Sequence, residues 1–284
     1  MVIEGDGRKD GMRLFSDNSV DAIISDHPWL DPKSNKGGNQ NFTSDYDCFR
    51  YELSDFEEKA RVLKPGHFLV EILPEENASN FEYLYQIKKM AEQAGLYYYT
   101  KIPWKKGNVV SNTGRKSKNV EDVCFFAKGR QARSLRPDAK KILSGEKDAR
   151  MSGTSYMLPT AFTSEEEEPL LDIKEFDCQP PSKKERIHQA EKPVSLRNLI
   201  LEAITLPGEV VIDQYAGSGS SGESILYKKR IGILFEILHS NIVNIASRLG
   251  AKNVLKLTEL MDEQPKREEK SLNKPKVVEQ LAFL

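Results

Sequence analysis

Apolar positions along this 284-residue chain fall in short runs separated by stretches of helical spacing. Val20–Ser25 (VDAIIS) is a compact apolar run and reads as a buried strand. Ser54–Leu63 has helical periodicity, with Ser54 and Glu57 spaced as a capping box and Lys64-Pro65-Gly66 as the stop. His67–Leu73 (HFLVEIL) reads as the next strand, Phe81–Ala94 as a helix ended by Gly95, and Leu96–Ile102 and Asp122–Ala127 as two further strands. Between Pro103 and about Glu185 only the last of these carries a clear pattern. Order then returns with an amphipathic helix over Val194–Ile204, placing Leu196, Leu199, Ile200, Ala203 and Ile204 on one side. A strand at Glu209–Asp213, a helix at Ser220–Lys229, a strand at Ile231–Glu236 and a helix at Asn241–Leu249 follow. This alternation predicts an α/β fold, a doubly wound and mostly parallel sheet with helices on both faces. From about Thr258 the chain is rich in charge and is expected to be loosely held.

Composition narrows the class. Apolar residues make up 38% and charged residues 30%, as in a soluble globular protein. No apolar run approaches the ~18 residues of a membrane span, and the first dozen residues lack the apolar centre of a secretion signal. Cys48, Cys124 and Cys178 are far apart, which argues against a disulfide framework or a structural zinc site and suits a reducing cytoplasm. His27, His67, His188 and His239 are isolated, so no metal site is expected. Net charge is −1, which excludes a uniformly basic coat for nucleic acid. The balance is uneven, however. Residues 101–150 hold fourteen Lys and Arg against five acids, leaving the remainder at −10.

Two motifs carry chemistry. In Asp213–Glu223 (DQYAGSGSSGE) a strand feeds a loop of small residues, Ala216-Gly217-Ser218-Gly219, and then a helix. Glycine lets the backbone turn sharply and approach a ligand, and the helix N–H groups face what binds there. Glu236 ends the following strand, where a carboxylate suits a ribose diol. Together these predict a nucleoside cofactor. The second motif is Asp26-His27-Pro28-Trp29, directly after the first strand. There Asp26 is placed to accept a hydrogen from an exocyclic amine, Trp29 offers a flat face to a heterocycle, and Pro28 fixes the chain between them.

In this order the motifs resemble the amino-methylating DNA methyltransferases, which use S-adenosylmethionine on adenine N6 or cytosine N4. The tetrapeptide comes first and the glycine loop last, as in the permuted beta group. GDGRKDGMRLFSDNSVDAIISDHPW, ARVLKPGHFLVEI, VEDVCFFAKG and EKPVSLRNLILEAITLPGEVVIDQYAGSGSSGE carry the resemblance over nearly the whole chain. It implies a seven-stranded, three-layer Rossmann-like sheet with an inserted target-recognition segment. The implied division is 1–128 for the catalytic half, 129–186 for recognition, 187–257 for the cofactor half and 258–284 for the tail. Asp6 would reach the cofactor adenine and Lys192, before Pro193, its carboxylate. Asp213 would hold the loop and the amino-acid end, Tyr215 would pack alongside, and Gly217 and Gly219 would give access. Ser220 would lie near the loop or cap the next helix, and Glu236 would take the ribose hydroxyls.

The implied reaction is transfer of a methyl group to N6 of an adenine flipped out of duplex DNA, with Asp26 and a backbone carbonyl near His27 or Pro28 holding the amine and Trp29 stacking on the base. Cytosine N4 is the alternative target, because Asp at the first position and Trp at the fourth point to different bases. His27 departs from the family's proline; the turn tolerates it, it accepts a proton, or it marks a catalytically silent relative. Another planar amine, in RNA or a protein glutamine, is a further alternative. The basic segment would neutralise phosphates, with Lys105, Arg115, Lys116 and Lys118 as DNA contacts. A homodimer is compatible with the resemblance, and nothing in the sequence points to an accompanying restriction enzyme.

Overall fold

The computed structural model describes residues 1–28, 48–105, 120–133 and 191–262. Eight strands form one sheet: β1 (Val2–Glu4), β2 (Val20–Ser25), β3 (Leu63–Pro74), β4 (Leu96–Lys105), β5 (Val120–Lys128), β6 (Val210–Asp213), β7 (Ile231–Glu236) and β8 (Val254–Lys256). Their order is β4-β5-β3-β2-β6-β7-β1-β8. β5 runs antiparallel to both neighbours, and the other pairs are parallel. The doubly wound α/β class expected from the alternation is therefore present, with eight strands rather than seven and one strand reversed. The extra edge strand β8, like β1, is three residues long, too short to leave a period-two pattern.

The strand residues alternate between two apolar layers. Ile23 and Leu69 face one side, packed against α1 (Lys9–Met12), α2 (Leu53–Val62) and α3 (Phe81–Gln93) through Met12, Phe56, Leu84 and Ile87. Ala22, Ile24, Phe68 and Val70 face the other, packed against α4 (Val194–Ile204) and Ile225 of α5 (Ser220–Tyr227). α6 (His239–Leu249) joins that second side over Val2 and Leu234. The result is three layers.

Three local expectations change. The capping box of α2 lies two residues earlier, where the Asp55 carboxylate accepts the Glu52 N–H at 2.8 Å. Lys64-Pro65-Gly66 stops the helix but lies within β3, as an irregularity in its register with β2. The chain past Thr258 also begins in order: α7 (Leu257–Asp262) buries Leu257 against the core.

Candidate active site at the ends of β2 and β6

β2 and β6 are the central pair, and the chain leaves them in opposite directions across the sheet. In open α/β sheets such a switch point opens a crevice at the carboxyl ends of the strands. The two sequence motifs begin at those two ends, although 187 positions separate Asp26 from Asp213. A buried polar bridge joins them: the Ser25 hydroxyl donates to Gln214 Oε1 at 2.9 Å, and Gln214 Nε2 donates to the Gly7 carbonyl at 2.9 Å. The turn after β1, with exposed Asp6, is thus tied to the same place.

The glycine loop is held from both sides. Asp213, with no exposure, accepts the Tyr215 N–H at 2.9 Å and the Ser221 hydroxyl. Burial raises its pKa, against the opposing pull of Arg197. Glu236 accepts the Gly217 N–H at 2.9 Å and the Leu238 N–H at 2.8 Å. Gly217 and Gly219 both have positive φ, +53° and +80°, but for different reasons. A Cβ on Gly219 would meet Ile245 of α6 at 3.1 Å, so glycine is needed there for packing. A Cβ on Gly217 would meet nothing closer than the Tyr215 carbonyl at 4.0 Å and would fill the open space in front of the loop. That space, beside the Glu236 carboxylate that holds the Gly217 N–H, is compatible with the ribose end of a nucleoside. Gly219, not Ser220, caps α5; Ser220 is the first helical residue and is buried, as are Ala216 and Ser218.

Asp26, at the end of β2, is 18% exposed and lies 2.6 Å from Lys192 Nζ. Burial pushes its pKa up, but Lys192 and then Arg197 outweigh burial and hold it below the usual carboxylate range. Lys192 also lies 3.5 Å from Glu121 on β5 and beneath the Trp104 ring of β4, 5.9 Å from its centroid. Burial lowers its pKa, but Asp26 and Glu121 prevail and raise it. The structure therefore places Lys192 on the Asp26 carboxylate. Pro193 follows as the N-cap of α4 and fixes this entry at φ −62°.

His27 is 1% exposed and is more than a residue the turn tolerates. Its ring stacks on Tyr51 at 4.0 Å between centroids and its Nε2 meets the Tyr83 hydroxyl at 3.1 Å. Behind it, Lys59 and Glu71 form a fully buried pair at 2.5 Å, and the Tyr51 hydroxyl donates to Glu71 at 3.0 Å. Arg8, fixed to Asp55 at 2.9 and 3.0 Å, stacks on Phe49, whose ring lies 5.7 Å from that of His27. Burial first, then the charge of Lys59, lowers the His27 pKa to about 3. The imidazole is neutral at physiological pH and is a poor proton acceptor. Tyr215 contacts the same Phe49 ring, 6.0 Å between centroids.

Two features escaped the sequence reading. Arg197, 3% exposed on α4, reaches within 3.8 Å of Asp26; its only signal was an arginine within the apolar run Leu196–Leu201. The Lys59–Glu71 pair left none, since each residue sits on a different element. Trp29, Arg115, Lys116 and Lys118 lie outside the described residues, as does the side chain of Lys105. Pro28 is described, its carbonyl accepting the Phe49 N–H at 3.3 Å. Asp21, His67 and Glu209 gather away from this site, at the start of β2 and β6, with ligand atoms spaced as for a metal. Lys64, 2.6 Å from Asp21, and Arg133, 2.8 Å from Glu209, already supply cations there.

Comparison with known proteins identifies the family. A family model described as DNA methylase, for N6 and N4 methyltransferases, matches residues 20–248. The type II methyltransferase M.HpaI of Haemophilus parainfluenzae is 25% identical over 245 residues, 85% of this chain and 71% of that protein. Among solved structures, the M1.HpyAVI–SAM complex superposes with a TM-score of 0.57 at 18% identity, covering 88% of this chain and 98% of that one. TTHA0409 of Thermus thermophilus, complexed with S-adenosyl-L-methionine, gives 0.58 at 14%, covering 90% and 96%. The cytosine-N4-specific PvuII DNA methyltransferase gives 0.60 at 17%, covering 92% and 89%. With the family match spanning both motifs and the sheet that joins them, this chain belongs to the S-adenosylmethionine-dependent DNA amino-methyltransferases of the N6-adenine and N4-cytosine family.

Proposed function

We propose that the protein methylates N6 of adenine at a specific site in duplex DNA, with Asp26 as the residue that holds the reacting amine. The observation that carries this reading is the Asp26 carboxylate, kept ionised by Lys192 at 2.6 Å and set across the β2–β6 seam from the glycine loop. An adenine amine is a poor nucleophile because its lone pair is delocalised into the ring. A carboxylate accepting one amine hydrogen, with a backbone carbonyl at His27 or Pro28 accepting the other, draws the nitrogen towards pyramidal geometry and aims its lone pair. S-adenosylmethionine would supply an electrophilic methyl on its sulfonium and leave as the thioether S-adenosylhomocysteine, with the amine proton passing to solvent. Gly217, Glu236 and Asp6 would bind its nucleoside end, with Tyr215 packing alongside. Trp29 would stack on the flipped base. Positioning and preorganised charge then supply the catalysis, with no covalent enzyme intermediate. Neutral His27, engaged with Tyr83, braces the tetrapeptide in place of a second proline.

Residues 129–186 serve target recognition in this reading, and Lys105, Arg115, Lys116 and Lys118 contact phosphates. The protein acts in the cytoplasm; a homodimer and a cognate restriction enzyme remain outside the proposal. The test is expression in a methylation-deficient host followed by mass spectrometry of nucleosides and sequencing of modified bases. N6-methyladenine in one sequence context is expected, and it is expected to vanish with Asp26→Ala while cofactor binding survives. N4-methylcytosine would instead assign the other branch of the family. No modified base, with intact cofactor binding, would identify a silent relative.

A further inference from the structure

We infer that the Arg197 guanidinium is the binding subsite for the α-carboxylate of S-adenosylmethionine, and that Lys192 serves Asp26 instead. The inference rests on the proposed reading of the crevice at β2 and β6. Arg197 Nε and Nη1 are buried without a hydrogen-bond partner, and Nη2 comes no nearer to Asp26 than 3.8 Å. Native proteins rarely leave buried donors unpaired, and the cost is greater for a charged group. A planar fork of N–H donors matches a carboxylate, which it binds through two parallel hydrogen bonds.

The neighbouring carboxylates are otherwise engaged. Asp213 accepts from its own loop, and Asp26 is bonded to Lys192. Lys192 in turn has Asp26 at 2.6 Å and Glu121 at 3.5 Å. A ligand carboxylate arriving at Lys192 would share an ammonium already facing Asp26 and Glu121 and would weaken its hold on Asp26; one arriving at Arg197 Nε and Nη1 meets donors with no hydrogen bond to give up. The location fits as well. α4 is pinned to α5 by the Ser224 hydroxyl donating to the Val194 carbonyl at 3.0 Å, and α5 begins where the glycine loop ends. Arg197 is thereby held among the ends of β2 and β6, its charge felt by both Asp26 and Asp213.

The test is calorimetric titration of the full chain with S-adenosylmethionine and with its decarboxylated analogue, which differ only in the carboxylate. Wild type is expected to prefer the first. Arg197→Met is expected to lose roughly ten- to a hundredfold of affinity for it, the range for hydrogen bonds to a charged group, with affinity for the analogue unchanged. Lys192→Met is expected to keep the preference while losing turnover, with the acid limb of its pH profile moved to higher pH because Asp26 loses its main cation. A preference retained in Arg197→Met, or equal loss for both ligands, would overturn the subsite. If Arg197→Met does not fold by circular dichroism, Arg197→Lys provides the same reading, since an ammonium lacks the fork and the preference is expected to shrink. Failure of wild type to bind either ligand would instead defeat the methyltransferase reading itself.

Discussion

Lys59 and Glu71 lie 2.5 Å apart with no solvent on either side chain, directly behind His27. Burial shifts each towards its neutral form, Glu71 upward and Lys59 downward, and their mutual attraction opposes that shift. Removing one partner strands the other, at a cost of about 3–5 kcal/mol. Lys59→Met is therefore expected to lower the urea midpoint strongly, and the double variant Lys59→Met/Glu71→Gln to recover much of the loss; additive losses would show that the two do not act as a pair. His27 adds a pH dependence. Its folded pKa of about 3 lies below the unfolded value of 6.5. Below pH 6.5 the unfolded chain takes a proton that the folded chain refuses, so stability falls as pH drops through that window. Between pH 7 and pH 5 this amounts to about 2 kcal/mol. Urea titrations at the two pH values are expected to show this loss in wild type and its absence in His27→Gln.

The elements show which parts of the site can be read in sequence. β2, α4 and β7 fall where their apolar patterns end, because each is flanked by polar or breaking residues. The reversed direction of β5 was not legible, since an apolar run records burial and not orientation. The glycine loop was recognisable as a motif, but the separate duties of its glycines emerge only from their neighbours. Gly219→Ala meets α6 at a left-handed φ and is expected to lose about 1–2 kcal/mol of stability. Gly217→Ala shares the left-handed φ but meets open space, so it is expected to lose less stability than Gly219→Ala and to weaken cofactor affinity more. Equal effects of the two substitutions in thermal and calorimetric titrations would refute this division. Asp26 and Asp213 were legible as strand-end acids, whereas the cations that govern Asp26 come from α4 and its entry, and only folding brings them there.

Across the whole molecule, the near-zero net charge conceals a surplus of nine positive charges in residues 101–150. The described part of that segment, β4 and β5, brings Trp104 and Glu121 against Lys192, so the segment departs from the sheet beside the proposed active site. Reversing Arg115, Lys116 and Lys118 to Glu is expected to weaken duplex binding and reduce its salt dependence by about one counterion per lost phosphate contact. Cofactor binding is expected to be spared, and unchanged affinity for DNA would remove these residues from the interface.

The position of β1 sets a timetable for folding. It is synthesised first but pairs with β7 and β8, matching Val2 to Leu234 and Val254. At about 5–20 residues per second, a ribosome needs on the order of tens of seconds to deliver those partners. Until then the early strands present open edges, and the sheet cannot close on its nascent half. Assembly must wait for residues 254–256, slowed by the long loops it has to close, and the unfinished chain is a natural client for whatever shields exposed strand edges in the cell.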